Sequence, residues 1–193
     1  TDIQTEAFEP ILRGRNVLLI APTGTGKTEA AILPILDKLI RLERRAGSSL
    51  LYITPLRALN RDMLRRLRFW AERLSLGLDV RHGDTPPAQR RRQSAHPPDI
   101  LVTTPETLQA MLPSRAMRRH LESVRWVVVD EIHSLAESKR GAQLTVALER
   151  LREVTGFEFQ RIGLSATIGS PETVAGFLCG VGRKAVILQV ATP

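Results

Sequence analysis

The sequence predicts an α/β fold, a mainly parallel sheet with helices on both faces, on three observations. Short apolar, β-branched runs recur along the chain: Asn16 to Ile20, Leu50 to Thr54, Leu78 to Arg81, Ile100 to Thr103, Trp126 to Asp130, Gln160 to Ser165 and Lys184 to Leu188. Helical patterns fall between most of them, and that alternation is what parallel strands joined by crossover helices require. Between the first run and the first of those helices lies Ala21-Pro22-Thr23-Gly24-Thr25-Gly26-Lys27-Thr28, a phosphate-binding loop pattern in its strand-loop-helix context.

The loop comes first because it anchors the chemistry. Gly24 and Gly26 let the chain wrap backbone N–H groups around a phosphate, Lys27 adds a cation for the outer phosphates, and the Thr28 hydroxyl suits Mg²⁺. The helix that follows, Thr28 to Leu42, offers its positive end to a triphosphate. Ala21 stands where the consensus has glycine, so φ there is expected to be negative. Pro34 interrupts this helix and is expected to kink it or to be absorbed near its N-terminal part.

In the helix after Pro55, Leu59, Met63, Leu67, Trp70 and Leu74 form an apolar stripe, with Arg57, Arg61, Arg65 and Arg68 on a solvated opposite face. His82 to Pro98 holds four prolines and Arg90-Arg91-Arg92, and reads as a surface loop or a short helix with flanking loops, basic enough to touch a polyanion. Thr104-Pro105-Glu106 and Ser170-Pro171-Glu172 each supply a cap, a proline at the first helical position and an acid in the first turn.

Trp126 to Val129 reads as a buried strand that ends in Asp130-Glu131-Ile132-His133. Both carboxylates then emerge at the C-terminal edge of the sheet, where ligands of open α/β sheets bind and from which the loop at 21–28 also projects. The two groups are expected on adjoining strands. Asp130 can share Mg²⁺ with Thr28, and Glu131 can orient or deprotonate an attacking water. Ser165-Ala166-Thr167 ends the next apolar run, and its hydroxyls can hydrogen-bond His133 or Glu131.

With 193 residues and 42% apolar content, the chain can bury one substantial core, which makes one domain the default. No apolar run approaches the ~18 residues that a membrane span needs, and Thr1-Asp2-Ile3-Gln4 lacks the order of a secretion signal. Cys179, the single cysteine, reads as a buried small hydrophobe, which fits a reducing, intracellular compartment. The net charge of +8 points to phosphate backbones, although an arginine-dominated bias is also what a GC-rich genome writes. Only 4% of residues are aromatic, so nucleic-acid contacts are expected to run through the backbone rather than by stacking bases.

Taken in order, these motifs resemble the first RecA-like domain of a superfamily 2 helicase over essentially the whole chain. Thr1 to Gln4 looks like the tail of the Q motif, in which Gln4 would read adenine. Ala21 to Thr28 is similar to motif I, Thr54-Pro55-Leu56-Arg57 to motif Ia, Thr103-Thr104-Pro105-Glu106 to motif Ib, Asp130 to His133 to motif II and Ser165 to Thr167 to motif III. Tyr52 to Asn60, Arg81 to Pro86, Asp130 to His133 and Arg161 to Gly169 narrow the resemblance to the large helicase-related (Lhr) proteins of bacteria and archaea. DEAD-box RNA helicases match less well, and the Ski2-like and Hel308-type helicases share Asp-Glu-Ile-His.

The resemblance implies an ATP- and Mg²⁺-dependent translocase moving 3′ to 5′ on single-stranded DNA, unwinding DNA or RNA–DNA hybrids in repair, in a bacterial or archaeal cytoplasm at the nucleoid. It implies catalytic roles for Lys27, Asp130 and Glu131 and coupling roles for His133, Ser165 and Thr167. Nucleic-acid contacts would fall at Thr54, Pro55, Arg57, His82, Gly83, Asp84, Thr103 and Thr104. Such enzymes continue into a second RecA-like domain that supplies an arginine finger, so residues 1–193 alone are expected to bind Mg-ATP weakly and hydrolyse it slowly. The alternatives are a non-catalytic RecA-fold nucleic-acid- or ATP-binding module and a helicase-like nuclease or restriction subunit, with a Ski2-like or Hel308-type helicase as the near neighbour. The intact Lys27, Asp130 and Glu131 weigh against the first, and the sequence after Pro193 would decide the second.

Overall fold

The structure, a computed structural model, describes residues 1–43, 46–55, 59, 61–136, 138–166 and 169–190. Strands β1 (Asn16–Ile20), β2 (Leu50–Ile53), β3 (Leu78–Arg81), β4 (Ile100–Thr103), β5 (Trp126–Val129), β6 (Gln160–Ser165) and β7 (Ala185–Gln189) form one sheet in the order β3-β4-β2-β5-β6-β1-β7. Every pairing is parallel. The expected strands are all present, to within one residue at either end. Helices α1 (Asp2–Leu12), α2 (Lys27–Ile40), α3 (Arg61–Arg73), α4 (Pro87–Ala95), α5 (Pro105–Met111), α6 (Arg115–Leu121), α7 (Ile132–Ala136), α8 (Lys139–Thr155) and α9 (Pro171–Cys179) connect and cover them.

Strand side chains alternate between faces, and the two cores follow that alternation. Val17, Leu19, Leu50, Tyr52, Val102, Val128 and Ile162 pack with α1, α2 and α3 on one face. Leu18, Ile20, Leu51, Ile53, Val127 and Val129 pack with α5 to α9 on the other. Cys179 is free and fully buried in this second core. Among the described residues no helix is long and apolar enough to cross a membrane.

Local packing adds to the sequence reading at three places. Helix α2 runs through Pro34 well past its first turn. A stripe of Ala30, Ala31, Ile32, Ile35, Leu36 and Leu39 is buried on either side of it, and that burial outweighs the one ladder bond a proline removes. Thr104 caps α5 by accepting from Thr107 N, whereas Ser170 makes no side-chain cap bond and α9 starts on Pro171 alone. In α3, Arg61, Arg65 and Arg68 are exposed as expected, but Arg66 turns toward α2 and pairs with Glu29 at 3.3 Å. The stretch from His82 to Pro98 contains the short helix α4, and its Arg90 is spent within the fold. Its Nε donates to Thr85 O at 2.8 Å, and its Nη2 donates to the carbonyls of His82 and Gly83.

The first residues of β6 and the end of α9 are tied by ions. Arg161, buried although charged, donates to Cys179 O at 2.7 Å and to Glu149 at 3.0 Å. Glu149 also accepts from Arg183, which holds Glu158 at 2.8 Å.

Candidate active site

The loop between β1 and α2 has the backbone its glycines permit. Gly24 and Gly26 are left-handed at φ 86° and 88°. Ala21 is not among the described non-glycine residues with positive φ, so the alanine fits its place. Its N–H donates to Ser165 O at 3.2 Å, which ties the loop to β6. Thr25 Oγ1 closes the turn on Pro22 O at 2.7 Å, and the Lys27 ammonium donates to Ala21 O. A Cβ on Gly26 would lie 2.7 Å from Gln4 Nε2, so the amide of α1 sits directly against the loop.

The acid pair follows β5. Asp130 is just past the strand end rather than in it, held by its N–H to Ile53 O at 2.8 Å. Its carboxylate accepts from Tyr52 Oη at 2.6 Å through Oδ2 and from Glu131 N at 2.9 Å through Oδ1. Glu131 has φ 50°, a left-handed conformation that is uncommon for a residue with a long side chain. Its carboxylate lies 3.3 Å from His133 Nε2, and His133 Nδ1 is 2.9 Å from Ser165 Oγ. Ser165, His133 and Glu131 thus form one chain of polar contacts, the arrangement expected of them. Thr167 lies outside the described residues.

Lys27, Thr28, Asp130 and Glu131 line one cavity with Thr23, Gly24, Gly26, Met63 and Arg66. The cavity has a volume of about 110 Å³. Burial lowers the Lys27 pKa, and the nearby Glu131 and Asp130 carboxylates oppose that shift. Burial likewise raises Asp130, against the hydrogen bonds from Tyr52 and Glu131 N.

The two halves of the site do not stand on adjoining strands. β6 lies between β1 and β5, so the strand that ends in Ser165 separates the loop from the acids. Strand order is set by long-range pairing, which local sequence does not encode. Three further neighbours escaped the sequence reading. Tyr52 is the lone polar side chain in Leu50-Leu51-Tyr52-Ile53, and that was its signal. Glu29 and Arg66 follow the loop and motif Ia at ordinary helical positions, and nothing in the sequence marks them.

The expected nucleic-acid residues divide. His82, Gly83 and Asp84 are on an open loop, with His82 half-buried and the other two exposed. Thr54, Pro55, Thr103 and Thr104 are buried because their strand ends are used internally. Thr54 N donates to Thr103 O at 3.0 Å, Thr103 Oγ1 donates to Arg81 O at 2.8 Å, and Thr104 is the α5 cap. Arg57 lies outside the described residues.

A glycine-lined phosphate loop and an acid pair on one edge of a parallel sheet define a RecA-like P-loop domain. The chain belongs to the DEAD/DEAH box helicase family, whose sequence profile matches residues 1–174. Within that family its likeness is to the Lhr type. It is 47% identical over 205 residues to the Lhr helicase/probable uracil glycosylase of Mycolicibacterium smegmatis, covering 99% of this chain and 14% of that one. It is 44% identical over 213 residues to the ATP-dependent helicase Lhr-Core of Methanothermobacter thermautotrophicus, covering 99% of this chain and 24% of that protein. The structure of Mycobacterium smegmatis helicase Lhr bound to ssDNA and AMP-PNP superposes with a TM-score of 0.89, covering 99% of this chain and 26% of that chain. The chain therefore spans a quarter or less of these two curated relatives.

Proposed function

We propose that this chain is the ATP-hydrolysing motor domain of an Lhr-type helicase that moves 3′ to 5′ along single-stranded DNA and opens DNA or RNA–DNA duplexes in repair. The observation that carries the reading is that Lys27, Thr28, Asp130 and Glu131 line one cavity at the sheet edge. The M. smegmatis relative, bound to ssDNA and AMP-PNP, supports both ligand classes.

In this reading the N–H groups of residues 23–28 cradle the phosphates and Lys27 leaves the Ala21 carbonyl to neutralise them. Gln4, lying against Gly26, reads the adenine edge. The Thr28 hydroxyl and the Asp130 carboxylate are hard oxygen donors and fit Mg²⁺, which is typically held by one or two carboxylates with substrate phosphates completing its shell. Bound Mg²⁺ would supply charge neutralisation at the phosphates. Glu131 orients the attacking water, and His133 and Ser165 carry the state of the phosphate site to the neighbouring strand end. The loop His82 to Asp84, braced by Arg90, meets the nucleic-acid backbone, and a second RecA-like domain completes the ATP site.

The test is Mg²⁺-dependent binding of a fluorescent AMP-PNP to the chain and to Lys27→Ala. Binding that weakens by tenfold or more supports the reading. Equal affinity overturns it.

A further inference from the structure

Tyr52 is the single tyrosine in the chain and lies in β2 with no exposed surface. A buried phenol needs a partner for its hydroxyl. Here the partner is Asp130, whose Oδ2 accepts at 2.6 Å, a length typical of a bond to a charged acceptor. The other oxygen accepts from Glu131 N at 2.9 Å, so two bonds from two directions fix the carboxylate plane. An ionised carboxylate has about four lone-pair sites, and no further hydrogen bond to Asp130 is made among the described residues, on a group that lines the phosphate cavity. The side chains of Thr28 and Arg66 also act on the phenol.

The register explains the placement. Tyr52 pairs with Val128, and both belong to the core under α1 to α3. Asp130, two residues further along, continues on the same face, where the length of a tyrosine ring lets its hydroxyl meet a group just beyond the strand end. A phenylalanine would fill the core there but could not make this bond.

We propose that Tyr52 is a positioning residue for the metal-holding carboxylate: its hydroxyl fixes Asp130 for a divalent cation and so sets the Mg²⁺ requirement of nucleotide binding. The inference rests on the ATP and Mg²⁺ reading given above. A purely structural tyrosine would contribute to core stability and leave metal dependence alone.

Tyr52→Phe keeps the ring and removes only the hydroxyl. Groups that hydrogen-bond to a metal ligand typically matter by about ten- to hundredfold in metal affinity. The variant is therefore expected to need about tenfold or more Mg²⁺ for half-maximal binding of a fluorescent AMP-PNP, with the loss confined to the Mg²⁺-dependent part of that binding. A folded variant, checked by thermal melting, with wild-type Mg²⁺ dependence overturns the proposal. Asp130→Asn separates the two levels: if it too keeps wild-type Mg²⁺ dependence, the parent reading fails, and if it alone is impaired, only the role of Tyr52 fails. Should Tyr52→Phe not fold, 3-fluorotyrosine in the otherwise unaltered chain gives one ¹⁹F signal. That signal is expected to shift with Mg·AMP-PNP relative to AMP-PNP in EDTA and to broaden with Mn²⁺. A signal insensitive to both metals overturns the proposal.

Discussion

Glu131 holds a left-handed backbone at φ 50°, and the cost of that conformation can be measured. The left-handed region costs a non-glycine residue about 1–2 kcal/mol. The contact of Glu131 with His133, between side chains 39% and 30% exposed, contributes at most about 0.5 kcal/mol. Glu131→Ala and Glu131→Gly lose that contact equally, so it cancels between them. Alanine keeps the strain and glycine sheds it. At an ordinary position glycine is the less stable of the two by about 0.4–1 kcal/mol, through the entropy of the unfolded chain. Subtracting this from the strain leaves Glu131→Gly the more stable variant by about 1 kcal/mol, a difference of ~2–4 °C in Tm for a chain of this size. Thermal melts of the two variants read the sign directly. An alanine variant as stable as the glycine variant, or more so, would refute the claim that strain is stored at this residue.

Two other expectations follow from the structure. Glu149→Gln removes the carboxylate from Arg161, whose side chain is 1% exposed. Breaking a buried pair costs about 3–5 kcal/mol, but Glu149 is 43% exposed and Arg161 keeps the Leu178 and Cys179 carbonyls, so about 2 kcal/mol is expected. Burial pushes the Glu149 carboxyl up, yet the Arg183 and Arg161 guanidiniums outweigh it and hold the pKa below the ordinary 4.5. A depressed acid stabilises above its unfolded value and loses that contribution as pH falls, so the gap between wild type and Glu149→Gln persists at neutral pH and closes below about pH 4.5. A gap that widens on acidification would contradict this. If the proposed contact at the His82 to Asp84 loop is made with the nucleic-acid backbone, oligonucleotide affinity drops at least tenfold between ~50 and ~200 mM salt. Arg90→Ala, which unties the loop, should weaken oligonucleotides of different sequence alike, and salt-independent binding would remove the loop from the nucleic-acid path.

Much of this fold is written locally. Leu50-Leu51-Tyr52-Ile53 and Trp126-Val127-Val128-Val129 are buried on both faces and read as uninterrupted apolar runs, so the strands are legible to within a residue. The loop at 21–28 is legible because its glycines and lysine serve one chemistry at fixed spacing. Strand order is not, since the place of β6 depends on partners more than a hundred residues away, such as Leu18 and Gly163. The burial of Thr103 was hidden for the same reason: its hydroxyl looks available until the Arg81 carbonyl of the neighbouring strand is in place to accept from it. The left-handed turn at Glu131 has no compositional signal, because glycine or asparagine would ordinarily mark it.

The insertion of β6 has a mechanical meaning. Ser165 accepts from Ala21 on one flank through its carbonyl and meets His133 on the other through its hydroxyl. A shift of this one residue by a fraction of an ångström would be felt on both sides at once, by the glycine loop and by the acid-bearing turn, which makes it the fulcrum between them.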